Sequence, residues 1–165
     1  MKTMRRTAER YSEVPRRGVA AVEFSLIAPV FLALVLGTIE GGTAFETANL
    51  MSSAVREGGR LAAMDWEGVV PDGMSANEKV LMDIRNFLTA AGMPGDEMQL
   101  SITHAESASA GSAFDLGDPD NRLKLFRISV EVPYEAVSNF PSTFMQGQTV
   151  TASLVFRAGR VSFGN

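Results

Sequence analysis

The sequence predicts an α+β protein: a long N-terminal apolar helix that continues into a domain where a second helix packs on a three-stranded antiparallel sheet. Three observations carry this reading. A bilayer-length apolar run lies near the N-terminus, a later segment repeats apolar residues at helical spacing between capping signals, and three further segments alternate apolar and polar residues in period two. Helix, helix, then strands is an α+β order and excludes a doubly wound nucleotide fold.

Length and charge set the frame. A chain of 165 residues has room for one modest core once a membrane segment is subtracted. Apolar residues make up 45% and charged residues 21%, too hydrophobic a balance for a disordered chain. The net charge of −4 is unevenly spread: six basic against two acidic residues put +4 on the first seventeen positions, which leaves −8 on the rest. An acidic body argues against nucleic-acid binding, and the basic head is a membrane-topology signal. Without cysteine, the chain builds neither disulfides nor thiolate metal sites.

The first element is the apolar run. Residues 24–39 carry no charge, and extension back to Val19 makes a segment of twenty-one residues with Glu23 as its one ionisable side chain. A helix rises about 1.5 Å per residue, so roughly 20 apolar residues cross a hydrocarbon core about 30 Å thick. Glu40 marks the outer boundary, and the basic residues just before the segment place the N-terminus inside and residues after about 40 outside. Pro29 removes the helix hydrogen bond to the Ser25 carbonyl and is expected to bend the helix.

Such a segment is a plain anchor, a cleaved secretory signal or a type IV prepilin signal, and Glu23 separates them. A carboxylate at the centre of a membrane helix costs on the order of 2.5 to 3.5 kcal/mol, less near an end, and neither of the first two has a use for it. Val35-Leu36-Gly37 is also a poor match to a signal-peptidase site.

The residues Arg16-Arg17-Gly18-Val19-Ala20-Ala21-Val22-Glu23-Phe24 resemble a prepilin peptidase site, in which a basic leader ends in Gly, cleavage follows it, and Glu is the fifth mature residue with an aromatic often next. With Pro29, Gly37, Glu40-Gly41-Gly42 and the stretch Ala54-Val55-Arg56-Glu57-Gly58-Gly59-Arg60-Leu61-Ala62-Ala63, residues 16–64 are similar to TadE-like minor pseudopilins of tight-adherence (Flp) pilus systems. The resemblance implies a leader over 1–18, a transmembrane helix with its extracytoplasmic extension over 19–64, and a pilin-like exterior domain over 65–165. It implies Gly18, Val19, Glu23 and Phe24 as the cleavage and assembly motif in the bacterial inner membrane. Its partners would be the lipid bilayer, a prepilin peptidase, other pilin or pseudopilin subunits and the pilus assembly platform. The physical logic of the motif is independent: cleavage after Gly18 exposes the α-amine of Val19, and Glu23 lies one helical turn away as its counter-ion, in the same or a neighbouring subunit. The competing reading is an uncleaved single-pass anchor carrying a binding domain at the envelope, with Glu23 reaching to the interface.

After Glu40 the helix becomes amphipathic, with Gly41, Ala44, Ala48, Met51, Val55, Gly58 and Ala62 on one face and Glu46, Asn49, Arg56, Glu57 and Arg60 elsewhere. That small-residue face suits either the domain's own core or packing between subunits. Gly68, Pro71 and Gly73 end the pattern, and Trp66 is expected to pack at the helix end or near the membrane surface. Ser75 and Glu78 form a capping box for the second helix. Its apolar face is Val80, Leu81, Ile84, Phe87, Leu88 and Ala91, expected to cover a sheet, and Gly92 and Pro94 stop it. The strands present Met98, Leu100 and Ile102; Phe126, Ile128, Val130 and Val132; and Val150, Ala152, Leu154 and Phe156 to one side. Residues 105–121, rich in Ser, Ala, Gly and Asp, read as a long exposed loop.

Little enzyme chemistry is legible. His104 has no second His or Cys with which to hold a metal and is expected as an exposed or partly buried strand residue. Asp115, Asp118, Asp120 and Asn121 supply oxygen ligands but not the spacing of an EF-hand. Gly58-Gly59 lacks the preceding strand and the following Lys of a phosphate loop. No nucleophile, base and orienting group assemble from these residues, so the chain is expected to be neither an enzyme nor a cofactor carrier.

Overall fold

The computed structural model describes residues 16–64, 70–106 and 109–159. Trp66, Gly68 and the leader before Arg16 lie outside them. The chain divides into two compact units, Met1–Gly37 and Thr38–Asn165.

In the first unit lies the beginning of α1 (Arg16–Ala62), which runs on into the second unit; Pro29 sits inside it without ending it. No residue from 18 to 37 is buried. Apolar side chains point outward on all sides, as in a helix whose surroundings are not water.

In the second unit, residues 38–62 of α1 pack with α2 (Ala76–Ala90) and the sheet into one core. The expected face is the core face: Met51, Val55, Gly58 and Ala62 are buried, Ala44 and Ala48 half-buried, and Thr47, Ala54 and Gly59 widen it. Gly41, at the N-terminal end of that face, is exposed. All five polar positions named above face outward. The small residues have a specific use: a Cβ on Gly58 would run into Ile84 of α2, and one on Gly59 into the Phe156 ring. Bare glycine lets the helix approach both the second helix and the sheet closely.

The capping box forms as expected: the Ser75 hydroxyl accepts from the Glu78 N–H, and the Ser75 N–H donates to the Glu78 carboxylate at 2.8 Å. Gly92, at φ +90°, follows the helix, where a left-handed residue costs glycine nothing. The buried stripe of α2 is Ala76, Val80, Ile84 and Leu88 at strict four-residue spacing. This corrects the sequence reading: Phe87 is 46% exposed and Ala91 lies outside the core. The sequence predicts a broader apolar arc; Gly58 admits Ile84 closely, so α2 packs along the Ile84 line, and Phe87 stays on the rim.

The strands are β1 (Gln99–His104), β2 (Leu125–Pro133) and β3 (Thr149–Arg157), antiparallel in the order β1-β2-β3. The register aligns apolar rows across the sheet: Leu100 with Val130 and Ala152, Ile102 with Ile128 and Leu154, His104 with Phe126 and Phe156. All four inward residues of β2, the central strand, are buried.

The connection over residues 105–121 is not simply exposed. Phe114 is 1% exposed, its ring 4.7 Å from His104 and 5.2 Å from Phe126. Asn77 of α2 holds the same stretch, donating to the Phe114 carbonyl at 2.6 Å and accepting from the Leu116 N–H at 2.8 Å. One aromatic in a polar segment is enough to seat it, because burying a phenyl ring is worth roughly 1.5 to 3 kcal/mol.

Candidate functional site

Two places in α1 hold candidate residues. The first is the motif over residues 18–24. Gly18, Val19, Glu23 and Phe24 are all exposed in the helix, Phe24 at 71%. Gly18 lies within the described part of α1, with open space where a Cβ would stand. Glycine is a poor helix former by about 1 kcal/mol, so the helix is locally weak at this position. Glu23 stands one turn beyond Val19 and is free to face a partner outside its own helix.

Among the described residues one helix is long and apolar enough to cross a bilayer, with a mean hydropathy of 2.4 in its most apolar window and none of that window buried. An apolar core helix of a water-soluble domain would be covered by its own fold; this one is bare.

The second place is Glu40, the residue directly after the apolar run. It is 3% exposed, and its carboxylate accepts three backbone hydrogen bonds, from Thr143 at 2.6 Å and from Phe144 and Met145 at 2.8 Å. The Tyr134 hydroxyl donates to the Glu40 carbonyl at 3.3 Å. Burial alone would raise the carboxyl pKa, but the three N–H groups outweigh it and hold the group below the ordinary carboxylate range. The connection from β2 to β3 thereby closes onto the helix. It begins with a short helix, α3 (Tyr134–Val137), and the Glu135 carboxylate accepts from the Gly147 N–H, which holds that acid below its usual range as well. The Ser138 hydroxyl donates to the Phe140 carbonyl at 2.7 Å. Sequence reasoning took Glu40 for a boundary charge and missed this role, because its partners lie more than a hundred residues away.

Other candidates serve the fold. His104 is half-buried against Phe114. Asp115 accepts from the Gly117 N–H and Asp118 from the Asp120 N–H, so both cap turns. No group of three His, Cys, Asp or Glu among the described residues is placed to hold a metal ion.

Residues 18–60 match the family model described as TadE-like protein, the family that the sequence of residues 16–64 resembles. The match covers the apolar run and most of α1 and stops before the sheet. No curated protein and no solved structure matches the chain. The bare apolar helix and this family match together fit a membrane-anchored protein.

Proposed function

We propose that the chain is a minor pseudopilin of a tight-adherence pilus or a related secretion machine, cut after Gly18 by a prepilin peptidase and held by residues 19–39 in the bacterial inner membrane. In this reading the N-terminus is cytoplasmic and the unit from Thr38 onward lies outside. The observation that carries it is the placement of Glu23: an ionisable side chain exposed within a bare apolar helix, one turn from the residue whose amine cleavage would free, inside the stretch that matches the TadE-like family. A charge in that setting is costly unless it meets an opposite charge, and the Val19 amine supplies one. At about 4 Å the attraction is about 1 kcal/mol in water and about 4 kcal/mol at an effective dielectric near 20, so the pair matters at the membrane edge, where subunits meet. The chain is here the substrate of an enzyme and a structural component, with pilin-like neighbours and an assembly platform as partners.

Intact mass and N-terminal sequencing of protein recovered from membranes test this. The wild-type chain is expected to begin at Val19, Gly18→Leu to keep its leader, and Glu23→Ala to be cut yet fail in assembly. A wild-type chain beginning at Met1 in cells with an active prepilin peptidase overturns the proposal and leaves an uncleaved anchored binding protein.

A further inference from the structure

The connection between β2 and β3 exposes two phenylalanines. Phe140 is 61% and Phe144 55% exposed, whereas the rings of Phe114 and Phe126 in the same unit are buried in its core. They stand in a run without charge, residues 136–156, on an otherwise acidic body. Their segment is not loose: residues 143–145 donate three hydrogen bonds to the Glu40 carboxylate, and the Ser138 hydroxyl bonds the Phe140 backbone.

The anchor point decides what these rings meet. Glu40 follows Ile39, the last residue of the apolar run, and helical side chains lean toward the helix N-terminus, so the Glu40 carboxylate reaches back toward Ile39 and Thr38. Residues 143–145 are held at that level. Counted from Val19 at about 1.5 Å per residue, Ile39 lies about 30 Å along the helix, where the hydrocarbon ends and the headgroup layer begins. We propose that the segment 138–145 is a second membrane contact, with Phe140 and Phe144 seated in the interfacial layer of the outer leaflet at the point where α1 leaves it. This rests on the membrane reading of α1 given above. The contact is uncharged, aromatic and fixed in depth by Glu40, which is what an interfacial anchor needs.

Because the chain has no cysteine, a single probe can be placed at will. The full chain is reconstituted in phosphatidylcholine–phosphatidylglycerol vesicles with an environment-sensitive fluorophore on Ser142→Cys, which keeps both phenyl rings. Ser101→Cys on the exposed side of β1 is the water reference and Leu26→Cys in the apolar run the membrane reference. Lipids spin-labelled near the headgroup are expected to quench the Ser142→Cys probe at least about twofold more than the Ser101→Cys probe, and F140S/F144S in the same background to remove that excess. The Ser101→Cys signal and the thermal transition report that the double variant is folded; Phe140→Ser alone, expected to lose part of the excess, serves if it is not. Equal quenching at Ser142→Cys and Ser101→Cys, with the Leu26→Cys probe still quenched by deep spin labels, overturns the second contact while the anchor stands. An unquenched Leu26→Cys probe overturns both. A blue-shifted Ser142→Cys probe that lipid does not quench overturns the proposal in favour of a second copy covering the rings.

Discussion

The two parts of α1 obey different rules although the helix does not break between them. Residues 18–37 carry large apolar side chains on every side and bury none of them, while residues 38–62 carry small residues on one face and bury that face in a core. A helix that leaves water needs bulk and few charges, so its apolar residues need no particular angular order. One that joins a core must present a surface that neighbours can approach, and there the angular position and size of each residue are decisive. The glycines show this most directly: Gly41 and Gly42 have nothing within contact range of a Cβ, whereas Gly58 and Gly59 face Ile84 and Phe156.

The largest expected effect breaks the packed part. Ile84→Ala removes a side chain that is 2% exposed and lies against Gly58, and should destabilise the folded unit by about 2 to 5 kcal/mol. Phe87→Ala, one turn along but on the rim, should cost clearly less. Thermal unfolding of the detergent-solubilised chain measures both, and equal losses would mean that Phe87 is covered after all.

Next in size is the glycine contrast. Gly59→Val forces a branched side chain into the Phe156 ring and should cost about 1 to 3 kcal/mol. Gly42→Ala, in open space on the same helix, should be neutral or stabilising by up to about 1 kcal/mol. If both glycines tolerate substitution, close approach is not what the small-residue face provides.

The Glu40 contact gives a pH dependence whose sign is determined. Its folded pKa lies below the ordinary 4.5, so its contribution is present above that value and is lost as pH falls from 4.5 through the folded pKa. Glu78, held by the Ser75 N–H and hydroxyl, and Glu135, held by Gly147, act in the same direction. Glu40→Gln is therefore expected to flatten acid unfolding in part, and an unchanged pH profile would remove Glu40 from the account.

The smallest effect belongs to the Lys79–Asp83 pair on α2, spaced i,i+4 with both side chains about a quarter exposed. Lys79→Ala should cost about 0.3 to 0.5 kcal/mol, vanishing in high salt.

What could be read from the sequence was local. The apolar run, the capping box at Ser75 and Glu78, the stop at Gly92 and the alternation of all three strands depend on residues within a few positions of one another, and each reappears in the fold. The family resemblance over residues 16–64 was legible for the same reason, since its motif is contiguous, and residues 18–60 carry the match. Only the tertiary structure decided which residue each of these surfaces meets. It turned Phe87 outward, seated Phe114 between His104 and Phe126, and brought the N–H groups of residues 143–145 to the carboxylate of Glu40. Periodicity specifies a face but not its partner; a partner a hundred residues distant is selected by the shape and unmet hydrogen bonds of the closed core, which exist only once the chain has folded.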